Sequence, residues 1–190
     1  MQQERPKIEN YSTFTKEIEI ERKWSVRKKQ IPDLTGFDKI EIEQGYFKDH
    51  NGKTRRLRKF VDKNGKVFYQ EQFKTKLGDK RSDGSEEESR FLSEDEFSIL
   101  WPQTEGVRIK KTRYYIPYRV NLNGEEVELK IELDFFQNGE IVMAEVEFTN
   151  KEQSDWFTSD KWPNWFKKDI TDNKGVSSKS IAKKFGDKID

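Results

Sequence analysis

Cysteine is absent from the 190 residues, and histidine occurs once, at His50. The first absence removes disulfide frameworks, thiolate nucleophiles and Cys-ligated zinc sites. The second removes any His-based metal cluster. Alanine occurs only twice, so the chain is poorly stocked with helix formers. No run approaches the roughly 18 apolar residues that span a bilayer. The segment Met1–Pro6 has no apolar signal character, and the reading is a cytoplasmic protein. Net charge is also missing: 37 basic and 36 acidic side chains leave +1. A general nucleic-acid binder would instead be net basic.

Hydrophobic residues are scarce too, at 32%, with a mean hydropathy of −1.09. That raises disorder as a first suspicion. Two counts oppose it. Aromatics make up 13%, and Leu, Ile, Val and Phe together number 45 of 190, above the roughly 20% below which chains stay unfolded. The expected organisation is a polar, loose N-terminal extension over 1–15 and a single domain over 16–190.

Four Asn-Gly pairs, beginning at Asn51, Asn64, Asn123 and Asn138, are hairpin signals. Around them lie eight predicted strands, at 17–27, 40–49, 53–61, 66–77, 86–92, 107–121, 125–136 and 140–149. Three short helices interrupt them. Ser93 with Glu96 forms a capping box for the first, which stops near Trp101-Pro102. Asn150 with Gln153 opens the second. The third runs from about Ser178 to Phe185, with Gly186 as its cap. The loop from Gly78 to Ser85 is small, polar and charged.

Within the strands the charges alternate with apolar residues. Glu17, Glu19, Glu21 and Lys23 share one face, against Ile18, Ile20, Trp24 and Val26 on the other. Glu128, Lys130, Glu132 and Asp134 oppose Leu129, Ile131, Leu133 and Phe135, and Glu145 and Glu147 oppose Ala144, Val146 and Phe148. Arg56 and Arg58 flank Leu57, and Lys74 follows Phe73. Such alternation has two readings. One is a sheet with a solvated outer face. The other is a mainly β fold, an eight-stranded antiparallel closed barrel with a charged lumen and short helices packed outside. A barrel of that size is wide enough for one small ligand. A lumen lined by both signs is costly unless a charged ligand and metal ions occupy it.

Several of these residues stand in an order that resembles the CYTH domain, or triphosphate tunnel metalloenzyme, superfamily. Glu19-Ile20-Glu21-Arg22-Lys23 resembles its ExExK signature. Gln44-Gly45-Tyr46 resembles the second-strand element, Arg56-Leu57-Arg58 the R-x-R strand, and Lys74 the strand lysine. Lys111-Thr112-Arg113-Tyr114, Glu132-Leu133-Asp134, Glu145-Val146-Glu147-Phe148 and Ile181-Ala182 follow in the family's order, so the likeness covers nearly everything from 17 to 185. The chain departs from the pattern in three places. The R-x-E-x-E segment is replaced by Glu86-Glu87-Glu88 with Arg81 too far upstream, Lys76 competes with Lys74, and Gly175–Ser178 stand where relatives carry Arg, Tyr and Asn.

The resemblance implies an eight-stranded tunnel that holds a triphosphate with Mg²⁺ or Mn²⁺. It implies Glu19, Glu21, Glu145 and Glu147 as metal ligands, with Glu88 and Asp134 as further contributors. Lys23, Arg56, Arg58, Lys74 and Arg113 would be phosphate clamps, and Glu21, Lys23 and Arg58 the residues closest to the chemistry. Hard divalent cations take oxygen ligands, and Arg presents a planar fork that matches phosphate. Glu17 and Glu128 read as solvated strand ends, and Arg22 as structural. The implied reaction is hydrolysis of inorganic triphosphate to pyrophosphate and phosphate. Thiamine triphosphate is the first alternative and would call on aromatics such as Tyr46, Tyr114, Trp162 or Trp165. Adenylate cyclisation follows, although Thr13-Phe14 replaces the His-Phe pair of that branch. A non-catalytic polyphosphate- or nucleotide-binding module is the reading outside enzymes. The expected partner is a small triphosphate, with no nucleic acid or membrane, for a monomer or homodimer.

Overall fold

The computed structural model describes residues 13–122, 124–136 and 139–185. Alternation of apolar and polar residues, broken by left-handed turns, produces eight strands in chain order: β1 (Thr15–Val26), β2 (Asp38–Tyr46), β3 (Lys53–Val61), β4 (Val67–Lys76), β5 (Ser85–Leu92), β6 (Arg108–Leu122), β7 (Glu125–Phe136) and β8 (Ile141–Phe148). A ninth, β9 (Phe166–Asp169), is an addition to the eight predicted. All pairings are antiparallel, in the order β5-β4-β3-β2-β6-β7-β8-β1, and β5 returns to β1 to close the barrel.

The closure depends on β1. Ile20–Ser25 pair with β8 along one edge. On the opposite edge Thr15–Glu19 pair with β5 and Trp24–Val26 with β9. One long strand therefore serves three partners.

At the first Asn-Gly turn both residues are left-handed, with φ of 50° at Asn51 and 74° at Gly52. That is the type I′ geometry such a pair predicts. At the second, only Gly65 is left-handed. There Asp62 Oδ1 accepts from the amides of Asn64 and Lys66 at 2.8 and 2.9 Å, and this local cap selects a wider turn. Asn123 and Asn138 lie outside the described residues, as do Gly186 and most of the 1–15 segment.

The helices are α1 (Glu94–Leu100), α2 (Lys151–Trp156) and α3 (Ser178–Phe185). Ser93 and Glu96 form the predicted capping box, and Asn150 caps α2 by accepting from the Gln153 amide. The helices cover apolar faces. Leu57 and Leu92 on the barrel's outer wall pack against Phe97 of α1. The outward residues of β1, β6, β7 and β8, among them Trp24, Leu129, Ile131, Leu133 and Val146, pack against Phe157, Trp165 and Phe166.

α3 behaves differently. Its Ile181 and Ala182 pack on Tyr46, Ile109, Phe136 and Met143, whose strand registers place them on the inner face. One end of the barrel is thereby stoppered, and the charged residues lie above it.

Candidate functional site: the charged lumen

Cross-strand partners share a face, so the register decides which side chains point inward. Lys23 pairs with Glu145, Glu145 with Glu132, Tyr115 with Glu132, and Arg113 with Asp134. On the other wall Gln44 pairs with Arg58, Arg56 with Gln72, Lys74 with Glu87, and Glu87 with Glu17. The two sets join through β2 and β6, where Ile42 faces Lys111. Alternating charge is thus the inner face of a closed barrel.

The lumen divides into two zones. In the deeper one, Asp134 is fully buried and receives three donors: Arg113 Nε at 2.6 Å, Arg113 Nη2 at 2.7 Å and Lys111 Nζ at 2.5 Å. Arg113 also donates to Glu145 at 3.1 Å and to Glu132. Lys23 Nζ reaches Glu145 at 2.6 Å. Burial opposes the charge of Glu145, but Lys23, Arg113 and Lys111 outweigh it and hold its carboxyl well below the usual range. Burial and the neighbouring Arg113 push Lys111 down to about 8, against the pull of Asp134.

The second zone carries the acids. One carboxylate oxygen from each of Glu17, Glu19 and Glu87 lies within 4.8 Å of the other two. Lys74 Nζ bridges Glu19 at 2.6 Å and Glu21 at 2.9 Å. Burial works against the Glu21 charge, yet Lys23 and Lys74 hold its carboxyl at about 2. Glu19 is raised by burial, against Lys74, with Glu87 and Glu21 adding to the rise. Glu147 sits at the exposed mouth, raised by burial and by Glu19 and Glu132.

Arg58 stands apart. Among the described residues it has no ion-pair partner, and its Nε is enclosed without a hydrogen bond. Burial first, then Arg56 and Arg113, push the guanidinium down to about 10. Its cross-strand partner Gln44 likewise leaves Oε1 unpaired.

The register corrects part of the expected ligand set. Glu88 lies on the outer wall, where it meets Lys16 at 3.6 Å and Lys53 at 3.5 Å, and Glu86 meets Lys16 at 3.1 Å. Glu87 between them is the inward acid, because Lys74 pairs with it across the hairpin. Lys74 and Lys76 share this face, but Lys74 is the one that reaches Glu19 and Glu21, and Lys76 is exposed at the end of β4. Asp134 and Glu145 are inward but taken up by Lys and Arg. Glu17, read as a solvated strand end, is exposed yet joins Glu19 and Glu87. Of the four aromatics considered for an organic substrate, Tyr46 alone is on the inner face; Tyr114, Trp162 and Trp165 pack in the outer core. Arg22 points outward to Asp169 at 2.6 Å.

The inward residues that the sequence did not single out include Lys111, Tyr115, Gln72 and Glu87. Lys111 and Tyr115 share the parity of Arg113 and were legible from it. Glu87 needed the hairpin register, and Gln72 carries no charge to betray it.

The closed eight-stranded barrel, stoppered at one end and lined by bases and acids, matches a triphosphate tunnel fold. The comparisons with known proteins agree with that class. No family model matches the chain. An inorganic triphosphatase from Nitrosomonas europaea is 32% identical over 90 residues, which is 46% of this chain and 52% of the relative. The chain thus matches about half the length of that protein. The solved structure of the inorganic triphosphatase NE1496 superposes with a TM-score of 0.53 at 27% identity, covering 87% of this chain and 94% of that one. A protein from Pyrococcus horikoshii OT3, 16% identical, shares the fold over 90% of this chain and 99% of its own, with a TM-score of 0.54. These likenesses fit a CYTH-like fold.

Proposed function

We propose that the protein hydrolyses a triphosphate, with inorganic triphosphate as the preferred substrate and Mg²⁺ or Mn²⁺ as the required ion. The observation that carries this reading is the half-buried Arg58, whose Nε is enclosed without a partner and whose charge is repelled by those of Arg56 and Arg113. A buried cation without a counter-ion is costly unless an anion joins it. Arg58, Arg56 and Lys111 offer such an anion forks and a point charge across several bonds' width, which suits a chain of phosphates better than one carboxylate. The named triphosphatases with the same fold support the choice.

Glu17, Glu19 and Glu87 are the residues that would hold a divalent cation, with Glu147 and Glu21 adjacent. Three carboxylates within 4.8 Å form the hard oxygen donor set that Mg²⁺ and Mn²⁺ prefer. Bound there, the ion would neutralise phosphate oxygens and lower the pKa of a coordinated water. The chain's own contribution is positioning and charge. The guanidinium groups and Lys23 are preorganised to meet negative charge as it spreads over the transferring phosphoryl group. Lys74 covers Glu19 and Glu21 until a cation displaces it.

The test is phosphate release from inorganic triphosphate, thiamine triphosphate and ATP, with Mg²⁺, with Mn²⁺ and with chelator. Fastest release from inorganic triphosphate, abolished by chelator, is expected. Tight binding of all three without release would replace this reading with a polyphosphate-binding module.

A further inference from the structure

Gln72 lies on β4 between two residues of opposite charge and is 4% exposed. Its Oε1 accepts from Arg56 Nε at 2.7 Å, and its Nε2 donates to Glu87 Oε1. Arg56 Nη2 closes the triangle on Glu87 Oε2 at 3.1 Å. The three side chains come from adjacent strands, β3, β4 and β5.

The amide satisfies both neighbours. It offers an acceptor to the guanidinium and a donor to the carboxylate at once, and this pairing fixes which way the amide lies. A carboxylate there would repel Glu87, an ammonium would repel Arg56, and an aliphatic chain would leave both polar edges unpaired. Without the amide, Arg56 and Glu87 are free to form a two-pronged pair with each other, since that fork geometry is the stronger contact. Both would then be withdrawn from the lumen. With it, Arg56 spends Nε on the amide and one Nη2 contact on Glu87, so its Nη1 stays available. Glu87 keeps its place beside Glu17 and Glu19.

We infer that Gln72 is a positioning residue that ties the phosphate-binding wall to the acidic cluster by limiting Arg56 and Glu87 to a single mutual contact and fixing both in their working orientations. The inference rests on the triphosphate reading of the lumen. Supporting groups behind a ligand set are worth about 10- to 100-fold in affinity.

The experiment is Gln72→Met, with tripolyphosphate binding measured by calorimetry in chelator and Mn²⁺ binding measured separately without phosphate. Both affinities are expected to fall by about 10-fold, with a melting temperature that shows the variant folded. Gln72→Asn, one methylene too short to span the pair, serves if the first does not fold, with the same losses expected. In an Arg56→Leu background, Gln72→Met is expected to cost less than about 2-fold in tripolyphosphate affinity, because the residue it acts through is gone. Affinities unchanged in the single variant, or the same loss in both backgrounds, would overturn the inference. Wild-type turnover separates the two readings. A wild type that binds but releases no phosphate removes the proposed reaction while Gln72 is still tested by affinity. A wild type that turns over, with Gln72→Met bound equally tightly, removes Gln72 alone. A wild type that binds neither ligand removes both.

Discussion

Arg113 and Asp134 form a two-pronged pair across β6 and β7, Nε to Oδ1 at 2.6 Å and Nη2 to Oδ2 at 2.7 Å, with Asp134 fully buried. Lys111 adds a third contact at 2.5 Å. The carboxylate that the resemblance implies as a further metal contributor is here the counter-ion of two cations at the lumen floor. Asp134→Ala takes from Lys111 its ion-pair partner and from Arg113 its two-pronged one, leaving Arg113 only Glu132 and Glu145. Breaking a buried pair from one side costs about 3–5 kcal/mol, so the variant is expected to lose stability first. Urea unfolding would show this; a fully stable variant deficient only in Mn²⁺ binding would return Asp134 to the ligand set.

The β4–β5 register separates neighbours of identical chemistry. Glu87 is 3% exposed and faces the lumen, and Glu88 meets Lys16 and Lys53 outside. Exposed ion pairs contribute about 0–1 kcal/mol, so Glu88→Gln is expected to leave phosphate release within about 2-fold. Glu87→Gln is expected to reduce it by about 100-fold, as loss of a metal-holding carboxylate with its supporting bonds does. Equal effects of the two variants would show the register to be wrong.

The contrast marks how far the sequence alone reached. Eight strands and three helices were legible because each carries its own period, capping box or turn. β9 was not, because four residues between Trp-Pro-Asn-Trp and a Thr-Asp turn are too short to display alternation. Parity sorted Glu19, Glu21 and Lys23 onto one face but could not say whether that face was lumen or solvent. That depends on β1 reaching β5 and β8 from opposite edges, a contact between residues some 70 and 125 positions apart in sequence. The Gly78–Ser85 stretch reads from the sequence only as a small, polar and charged loop. It is tied down by Leu77 N to Gly84 O at 3.1 Å and by Ser82 Oγ to Asp172 at 3.0 Å. This connection sets the register that makes Glu87 the inward acid.

Lys111 gives the protein a pH signature. Burial and Arg113 hold it at about 8, below its ordinary 10.5. Below pH about 8 both folded and unfolded chains carry the proton, and the folded state bears the cost of the buried cation. Between about 8 and 10.5 the unfolded chain binds more protons, so stability rises with pH. Tyr115, pushed by burial up to about 12, acts oppositely above its ordinary 10. Unfolding free energies at about pH 7.5 and 9.5 are expected to differ less in Lys111→Met than in the wild type. Tripolyphosphate affinity is expected to decline above about pH 8 as Lys111 loses its charge. A wild-type affinity flat to about pH 10 would remove Lys111 from the phosphate wall.

Close packing accounts for Gly45, the penultimate residue of β2. A Cβ at this position would lie 2.3 Å from Thr104 Oγ1 and 2.6 Å from Thr104 Cβ. Thr104 is fully buried and cannot retreat, because its hydroxyl donates to Trp101 O at 2.8 Å and accepts from Arg108 Nε at 3.0 Å. Gly45→Ala is expected to cost about 1–3 kcal/mol through overpacking. The adjoining Gln44 and Tyr46 line the lumen, so a shifted β2 would also be expected to weaken tripolyphosphate binding. Gly45→Ala with Thr104→Ala should recover part of the loss, and a melting curve of the pair decides it.

Lys74 is the group that a cation would have to displace under the proposed function. It bridges Glu19 and Glu21, and although burial opposes its charge, those two acids hold its ammonium above the ordinary range. Removing it frees two carboxylates for a cation and withdraws one positive charge from the phosphate side. Lys74→Met is therefore expected to tighten Mn²⁺ binding and to weaken tripolyphosphate binding, each by about 10-fold, the worth of one charge-assisted hydrogen bond. The two changes run in opposite directions, which a general loss of folding cannot produce. Calorimetry with each ligand alone checks the pair, and parallel weakening of both would show Lys74 to be structural.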